Sequence, residues 1–503
     1  MNERTADTTS SLRAVMPTHF DLFYGGAWHK PKLGRYTEDF SPATGETLAR
    51  VAEGTAEDVD AAVAAARKGF DEWRRVPALE RARILRGIAD LIRGNAREMA
   101  LLDSADGGNP VSEMTADARM AAAKFDYFAG LVTEMKGDTV PISPDVVNFS
   151  IRQPMGVVVR IVAFNHPFLF SAGKTPAPLA AGNALIIKAP EQAPLSTLRL
   201  AELIGGLLPP GTFNVLTGGR DLGSALTSHK GVAMVGLTGS VPTGRAVMRS
   251  AADTLKPVLL ELGGKNALIA LADADPDEVA AAAIDGLNLT WCGQSCGSTS
   301  RLFLHDSIHD AVVERIQSLI GYYKPGIPTD PATTMGSIIS KAQHDRILQY
   351  IDAGKEGGAR LLCGGKRPSD PLLSKGYFVE PTVFVDVTQE MRIASEEIFG
   401  PVLSVLRWQD EEQMLKDVNA VEYGLTCSIW TNDLRRAHTL ANEVEVGYVW
   451  VNQVSKHFLG APFGGFKQSG IGREESLSEL LAFTQEKNIH INLKPRATAH
   501  KAK

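Results

Sequence analysis

The pattern of apolar and polar positions first predicts a mixed amino-terminal region. Two strand-like runs, LFYGGAW and DFSPATGETLARVAEG, are separated by turns that contain Gly and Pro. A helical pattern then begins near Thr55, which can cap the first turn together with Asp58. The region from Ala78 to Met135 keeps the helical pattern and is rich in Ala, Leu, Arg and Glu. Since it carries no recognisable catalytic set, we interpret it as scaffold.

From Pro154 onward the pattern changes to apolar runs of strand length that alternate with Ala- and Leu-rich helical stretches. Runs without polar alternation suit strands that are buried on both faces of a parallel sheet, with helices as the crossovers. The pattern therefore predicts a doubly wound α/β unit. Its apolar runs are MGVVVRIVAF, ALIIKAP, FNVLT, VAMVGLTGS and ALIAL.

A second series of the same kind predicts a second α/β unit from Lys265 to about Phe466. The length of 503 residues agrees with this division, because it exceeds what one hydrophobic core usually organises. The runs of the second unit are GSTSRLFLH, YFVEPTVFVDV, PVLSVLRW, CSIWTN and VGYVWVNQ.

Composition and charge exclude several classes of protein. The net charge is −6, and no long block of Lys and Arg occurs outside the tail from Lys494 to Lys503, so neither nucleic acid nor a membrane surface is an expected partner. Four cysteines are too few for a disulfide framework and indicate free thiols in a reducing compartment. No apolar run reaches the roughly 18 residues of a membrane span, and no signal peptide is evident. We expect a cytoplasmic protein.

Cys296 has the setting of a nucleophile. It lies in GQSCGS, among residues too small to bury it, where nearby backbone N–H groups would lower the pKa of a thiol and could hold an oxyanion. Cys292 and Cys296 lack the further ligands of a zinc site, so no metal is expected. A Cys–His hydrolase stays open, because its His can come from anywhere in the fold. Cys363 and Cys427 fit small buried hydrophobes in or beside apolar runs.

Two further segments could bind a nucleotide. Gly239 and Ser240 follow the strand VAMVGL and open a helix, where N–H groups and the helix dipole can face an anion. The segment lacks the G-x-G-x-x-G fingerprint, and taken alone it is better explained as an ordinary βα turn with a Ser cap. Lys188 and Glu191 follow another strand; a carboxylate there can accept hydrogen bonds from ribose hydroxyls and would repel a 2′-phosphate, which favours NAD over NADP. Solvated loop charges explain these two residues as well.

Glu261 is a candidate general base. It ends an apolar run and precedes two glycines in LLELGGKN, and partial desolvation would raise its pKa toward the useful range. A strand-end carboxylate satisfied by backbone donors is an equal alternative. The remaining polar signals are Asn165 and His166 in AFNHPFLF; Glu396, Glu397 and Phe399 in SEEIFGPVL; and the segment PFGGFKQSGIGRE.

Taken in this order, the motifs resemble the aldehyde dehydrogenase superfamily in its non-phosphorylating, hydrolytic branch. The resemblance covers nearly the whole chain, and its most specific markers are ELGGKN, GQSC, EEIFGPV and PFGGFKQSG. It implies an α/β fold with two doubly wound α/β domains and a small β-flap that forms homodimers or homotetramers. The implied segments are 1–131 and 155–263 for the NAD-binding domain, 264–470 for the catalytic domain, 132–154 and 480–494 for the flap, and 495–503 for a tail.

The resemblance also implies roles for individual residues. Cys296 would attack the aldehyde, the side-chain amide of Asn165 and the Cys296 backbone N–H would hold the oxyanion, and Glu261 would activate water. Members that release an acyl-CoA or acyl-phosphate commonly lack a Glu at that position, so hydrolysis to the free acid is expected. Lys174 and Glu474 match proton-relay positions. The positions that match the NAD contacts are Lys188, Glu191, Gly239, Ser240, Glu397 and Phe399.

Departures from the family pattern bear on the substrate. Gly173 replaces a frequent Trp and Thr290 a frequent aromatic residue, so we expect a roomier, more polar site for a bulky or polar aldehyde, such as an aromatic aldehyde, a semialdehyde or a catabolic intermediate. The pocket would be lined by His166, Phe170, Gly173, Thr290 and Phe458. His166 could bond a polar group of the substrate or serve the structure alone. A Cys-dependent hydrolase or acyltransferase and a catalytically silent binding protein stay open as alternatives.

Overall fold

The structure of the protein, a computed structural model, describes residues 12–494; the predicted tail 495–503 lies outside this range. Within it two large sheets and three two-stranded sheets are formed. The strands that precede the first α/β unit are short, as the turn-rich sequence predicts. They are β1 (Leu22–Tyr24), β2 (Ala27–His29), β3 (Tyr36–Phe40) and β4 (Thr47–Ala52).

The first large sheet has the strand order β2-β1-β8-β7-β6-β9-β10-β20. Its five central strands, from β8 to β10, are parallel, and nearly all their side chains are buried, which explains the unbroken apolar runs in the sequence. These strands are β6 (Val157–Ile161), β7 (Ala184–Lys188), β8 (Phe213–Leu216), β9 (Met234–Thr238) and β10 (Val258–Glu261), with β20 (Gly470–Ile471) added antiparallel at one edge.

The second large sheet has the order β13-β14-β15-β12-β11-β17-β18 and is parallel except for β13. The run ALIAL, grouped above with the first unit although it lies inside the range from Lys265 to Phe466 predicted for the second, forms β11 at the centre of this sheet. The chain leaves the first sheet after β10 through Gly263 and Gly264. The strands are β11 (Ala267–Ala270), β12 (Arg301–His305), β13 (Arg360–Cys363), β14 (Thr382–Val385), β15 (Val402–Trp408), β17 (Thr426–Trp430) and β18 (Tyr448–Val451).

Helices cover both large sheets and are named by their bounds. The scaffold helices are Ala56–Trp73, Ala78–Gly94, Ala96–Gly107 and Val111–Gly130; Thr55 and Asp58 cap the first of them, as predicted. The helices of the first α/β unit are Pro167–Gly173, Pro176–Ala180, Leu195–Ile204, Arg220–Ser228 and Val241–Ala252. Those of the second are Pro276–Gly286, Asp306–Leu319, Lys341–Glu356, Arg392–Ser395, Glu411–Asn419 and Leu434–Glu443, and Leu477–Ala482 follows near the carboxyl end.

Besides the sheet formed by β3 and β4, two small sheets complete the described chain. Strand β5 (Val146–Pro154) pairs antiparallel with β21 (Thr484–Asn492), with Ile489 opposite Phe149. Strand β16 (Tyr423–Gly424) pairs with β19 (Phe466–Lys467). In residues 12–494 no helix is long and apolar enough to cross a membrane.

Candidate active site

The first sheet reverses its winding direction at β6. From there the chain proceeds through β7 and β8 on one side, and β9 and β10 lie on the other. In open α/β sheets, ligands bind in the crevice at the carboxyl ends of the strands where this reversal occurs. Four predicted site residues end or follow strands at this edge: Asn165 after β6, Lys188 in β7, Gly239 after β9 and Glu261 in β10.

The second sheet presents the opposite ends of its strands to the site. The segments that lead into β11, β12 and β15 carry Asn266, Cys296 and Glu397. These strands are neighbours in one parallel register, in which Ala267 pairs with Arg301 and Arg301 with Ser404, so their amino ends meet at one edge. The two sheets therefore bring the predicted nucleophile and the predicted base together from distant parts of the chain.

Asn266 fixes the loop that carries Cys296. Its Nδ2 donates to the backbone oxygen of Cys296 at 2.7 Å and to that of Ser298 at 2.9 Å, while its Oδ1 accepts from the Thr426 N–H at 3.0 Å. Sequence reasoning used Asn266 only as part of the marker ELGGKN and gave it no role. A polar residue directly before a fully buried strand was the available signal.

Glycines allow this loop to pack closely. A Cβ on Gly264 would lie 2.5 Å from the Cys296 backbone oxygen, and one on Gly293 would collide with the backbone of Gly400. Gly293 also has a φ of +68°, which side-chain-bearing residues rarely adopt. Larger residues at these positions would displace the Cys296 loop.

Cys296 differs from the sequence-based expectation. It is half-buried rather than exposed, and burial raises the pKa of its thiol to about 12, with repulsion from Glu261 and Glu397 adding to the effect. Lys174 acts in the opposite direction but is outweighed. The expected lowering of the pKa by backbone N–H groups is therefore overturned, because desolvation and two carboxylates dominate. The other three cysteines are also free of disulfide bonds.

Glu261 has the environment of a general base. Its side chain is 4% exposed, and neither carboxylate oxygen has a hydrogen-bond partner among residues 12–494. Burial raises its pKa well above the ordinary value, and the charge of Glu474 raises it further. Of the alternatives left open by the sequence, the carboxylate satisfied by backbone donors does not occur.

Lys174 and Glu474, the predicted relay pair, form a buried ion pair. Glu474 also accepts from Arg160 Nη2 at 2.6 Å. Burial alone would raise the pKa of Glu474, but the two cations outweigh it and lower the pKa to about 2. Sequence reasoning missed Arg160, which is 2% exposed; the signal was an Arg inside the apolar run GVVVRIV.

A second set of buried charges adjoins this pair. Lys124 Nζ donates to Glu475 Oε1 at 2.8 Å, and the other oxygen of Glu475 lies 3.1 Å from His457 Nδ1. Glu479 accepts from the Glu475 N–H at 2.7 Å and lies 3.8 Å from Arg160. Burial and the charge of Glu474 raise the pKa of Glu479 to about 7.

The enlargement of the pocket that we expected at Gly173 is not found. A Cβ at this position would lie 3.0 Å from Lys124 Cδ and 3.8 Å from Ala121 Cα, so the side chain of Lys124 already fills the adjacent space. The sequence could not reveal this, because Lys124 comes from the distant helix Val111–Gly130.

The other predicted pocket residues occupy different settings. Phe170 is half-buried; its ring centre lies 5.1 Å from that of His166 and 5.1 Å from Lys174 Nζ. Thr290 is half-buried and directly precedes Trp291, which contacts His166. Phe458 is 57% exposed.

Asn165 is held by its backbone, which leaves its side chain available. Asn109 Nδ2 donates to the Asn165 backbone oxygen at 2.9 Å. The side-chain amide of Asn165 makes no hydrogen bond within residues 12–494, although the residue is buried. An unengaged buried amide is suited to receive an oxyanion.

Residues of the second sheet close the crevice from the opposite side. Glu397 Oε1 accepts from the Gly264 N–H at 2.9 Å, and its carboxylate lies so close to Gly263 that a side chain there would collide with it. Phe399 has a φ of +58°, and its ring packs edge-on against Phe164 at 5.8 Å. Glu396 instead pairs with Arg392 and Tyr350.

The predicted nucleotide segments follow β7 and β9 at the carboxyl edge of the first sheet. Ser240 caps the 12-residue helix Val241–Ala252 by accepting from the Thr243 N–H. Lys188 is buried, which lowers its pKa to about 8, and it packs against Gly223. Glu191 is exposed beside Gly219. Within residues 12–494 no three His, Cys, Asp or Glu side chains are grouped as a metal site.

Comparison with known proteins identifies the family. Residues 28–489 match the model of the aldehyde dehydrogenase family. The chain belongs to the aldehyde dehydrogenase family. The predicted family and the α/β fold class with two doubly wound sheets are therefore confirmed.

Three family members illustrate the relationship. The aldehyde dehydrogenase tropH of Talaromyces stipitatus is 49% identical over 96% of this chain and 95% of its own length. The betaine aldehyde dehydrogenase of Brucella anthropi is 40% identical over 94% and 97%. A Cys-to-Ala variant of the indole-3-acetaldehyde dehydrogenase AldA of P. syringae, solved with NAD+ and IAA, is 36% identical and superposes with a TM-score of 0.94, covering 97% of this chain and 99% of that one.

Proposed function

We propose that this family member oxidises an aldehyde to the carboxylic acid with NAD, using Cys296 as nucleophile and Glu261 as general base. One observation carries the proposal. Cys296 is a free cysteine whose loop is anchored by Asn266, and it lies close enough to the buried Glu261 for that carboxylate to raise the pKa of the thiol. The carboxylate has no hydrogen-bond partner among residues 12–494. Such a base can accept a proton from water or from a thiol.

The residues along the crevice fit a dinucleotide. The N-terminus of the helix Val241–Ala252, preceded by Gly239 and Ser240, suits a pyrophosphate. Lys188 and Glu191 suit one ribose, and the exposed carboxylate of Glu191 favours NAD over NADP by repelling a 2′-phosphate. Glu397 with Phe399 suits the second ribose. A bound nicotinamide ring would supply the acceptor for the hydride of the substrate.

The first chemical step forms a carbon–sulfur bond. The Cys296 thiol loses its proton to solvent, the thiolate attacks the aldehyde carbon, and the carbonyl oxygen takes up the electron pair as an oxyanion. The free side-chain amide of Asn165 and the Cys296 N–H stabilise this charge. Loss of hydride from the thiohemiacetal leaves a thioester on Cys296.

The second step hydrolyses the thioester. Glu261 takes a proton from water, and the resulting hydroxide adds to the thioester carbon. The carbon–sulfur bond then breaks, which releases the carboxylic acid and the thiol. Glu261 gives the proton that it took from water to the departing Cys296 sulfur, which restores both groups. The buried Lys174–Glu474 pair acts on this transfer through its charges, which shift the pKa of Glu261.

The substrate is proposed to be a relatively bulky or polar aldehyde. Relatives bear names that specify betaine aldehyde and indole-3-acetaldehyde, so the family accommodates both types. His166, Phe170 and Thr290 supply the polar and aromatic surface, whereas Gly173 adds no space because Lys124 fills it.

Formation of NADH with a panel of aldehydes tests the proposal. Cys296→Ala is expected to abolish it, whereas Cys292→Ser is the matched control, since Cys292 is buried four residues away and its replacement should leave turnover largely intact. Thioester hydrolysis without NAD, and no NADH, would indicate the hydrolase or acyltransferase. Binding of NAD without any product would indicate the silent alternative.

We also propose that the protein forms a homodimer or homotetramer through the β5–β21 sheet. This sheet leaves Val147 and Ile491 exposed at 40% and 41%. Light scattering of the protein as it elutes from a size-exclusion column measures its molar mass and so tests the assembly. A monomeric mass at micromolar concentration would contradict it.

A further inference from the structure

His166 forms a hydrogen bond that the reaction described above does not use. Its Nδ1 lies 2.7 Å from Asp117 Oδ2, and the Asp117 side chain is nearly fully buried. A carboxylate accepts but does not donate, so the Nδ1–H bond is directed at Asp117 and fixes the orientation of the imidazole ring.

The opposite ring nitrogen is available to a ligand. His166 Nε2 makes no hydrogen bond within residues 12–494, and this atom is accessible to solvent. With Nδ1–H directed to Asp117, Nε2 accepts a hydrogen bond when the ring is neutral and donates one when it is protonated. A hydroxyl group can match either state, because it both donates and accepts.

The position of the ring places this nitrogen at the aldehyde site. His166 directly follows Asn165, the proposed oxyanion residue, and its ring lies 5.1 Å from that of Trp291 in the segment that leads to Cys296. On its other side the ring of Phe170 lies 5.1 Å away. These two rings offer apolar faces on which an aryl group can pack.

The surrounding charges argue against an acidic group on the substrate. Asp117 and Glu113 both lie close to His166 on the helix Val111–Gly130, and Glu113 is close enough for its pKa to be affected by both. A substrate carboxylate would meet these two acidic residues, with Lys456 as the nearby cation. A neutral hydroxyl avoids that repulsion.

We infer that the Asp117–His166 pair selects aromatic aldehydes that carry a hydroxyl group on the ring, and that this hydroxyl forms a hydrogen bond with His166 Nε2. This inference rests on the proposed function. It makes His166 a specificity-determining residue and Asp117 a positioning residue that acts through it.

The test compares meta- and para-hydroxybenzaldehyde with the corresponding methoxybenzaldehydes, which cannot donate. The wild-type enzyme is expected to favour the hydroxyl compounds by about tenfold in kcat/KM, which is the contribution expected of one hydrogen bond. His166→Phe should abolish this preference, His166→Gln should restore part of it, and Asp117→Asn should reduce it. The matched control is His229→Phe, since His229 forms a similar pair with Asp60 at 3.1 Å outside the site.

Binding to the Cys296→Ala chain gives a readout independent of turnover. Calorimetric titration of the Cys296→Ala chain with each aldehyde should show tighter binding of the hydroxyl compounds than of the methoxy compounds. This difference in affinity should be lost when His166→Phe is combined with Cys296→Ala. NADH formation with equal kcat/KM for both series, or an unchanged preference in His166→Phe, would overturn the inference while leaving the proposed function standing. No NADH from any aldehyde would overturn both.

Discussion

Replacement of Glu261 by Gln isolates the charge that acts on Cys296. Burial is the main cause of the raised pKa of this thiol, about 12, and repulsion by Glu261 comes next. Gln keeps the size of the side chain, so the burial of Cys296 stays while the repulsion is removed. A nearby like charge usually shifts a pKa by about one unit or more. At pH values above the raised pKa of Glu261, where its carboxylate is charged, the thiolate fraction of Cys296 should therefore rise about tenfold.

The rate of alkylation of Cys296 by iodoacetamide measures this change. The rate is followed against pH by mass spectrometry of the Cys296 peptide. Glu261→Gln should react about tenfold faster at the alkaline pH values at which Glu261 is ionised, even as aldehyde turnover is lost. Glu396→Gln is the matched control, because Glu396 pairs with Arg392 and Tyr350 and does not act on the thiol. Equal or slower alkylation in Glu261→Gln would refute the repulsion and would instead assign Glu261 as the base that activates the thiol.

Three further substitutions test the supports of the site. Arg160→Met breaks a buried ion pair of Glu474 and should cost roughly 3 kcal/mol, seen as a lower Tm; an unchanged Tm would count against the pair. Asn266→Ala should lower kcat at least tenfold by releasing the Cys296 loop, with little change in aldehyde KM, and an intact kcat would contradict this anchor. The pKa of Glu479 is raised to about 7, so the stability that its protonated form contributes is fully present below pH 4.5 and is lost as the pH rises through 7. Between about pH 5 and 8 the Tm of Glu479→Gln should therefore rise relative to that of the wild-type chain. A Tm difference that does not change with pH would disprove the raised pKa.

The sequence predicted the parallel sheets because strands buried on both faces have a distinct pattern. The apolar run of β6 is an example, with the exception of Arg160. The pattern could not assign β11 to its sheet, since a buried strand looks the same in either unit. Only the position of the loop through Gly263 and Gly264 separates the two.

The sequence could single out candidate site residues where a residue type carries its own chemistry. Cys296 and Glu261 stand out for that reason, and Glu261 is buried and unpartnered as a general base requires. The pKa of Cys296 was not predictable, because it depends on burial and on charges that arrive from other parts of the chain. The same holds for Gly173, whose neighbour Lys124 is remote in sequence.

The mass of the Glu261→Gln chain after mixing with NAD and benzaldehyde tests the central mechanism most directly. If Cys296 forms the thioester and Glu261 is needed to hydrolyse it, intact-protein mass spectrometry should show one benzoyl group per chain, located on the Cys296 peptide. The same experiment with Cys296→Ala should show none. Absence of the adduct from Glu261→Gln, or its presence on another residue, would contradict the account.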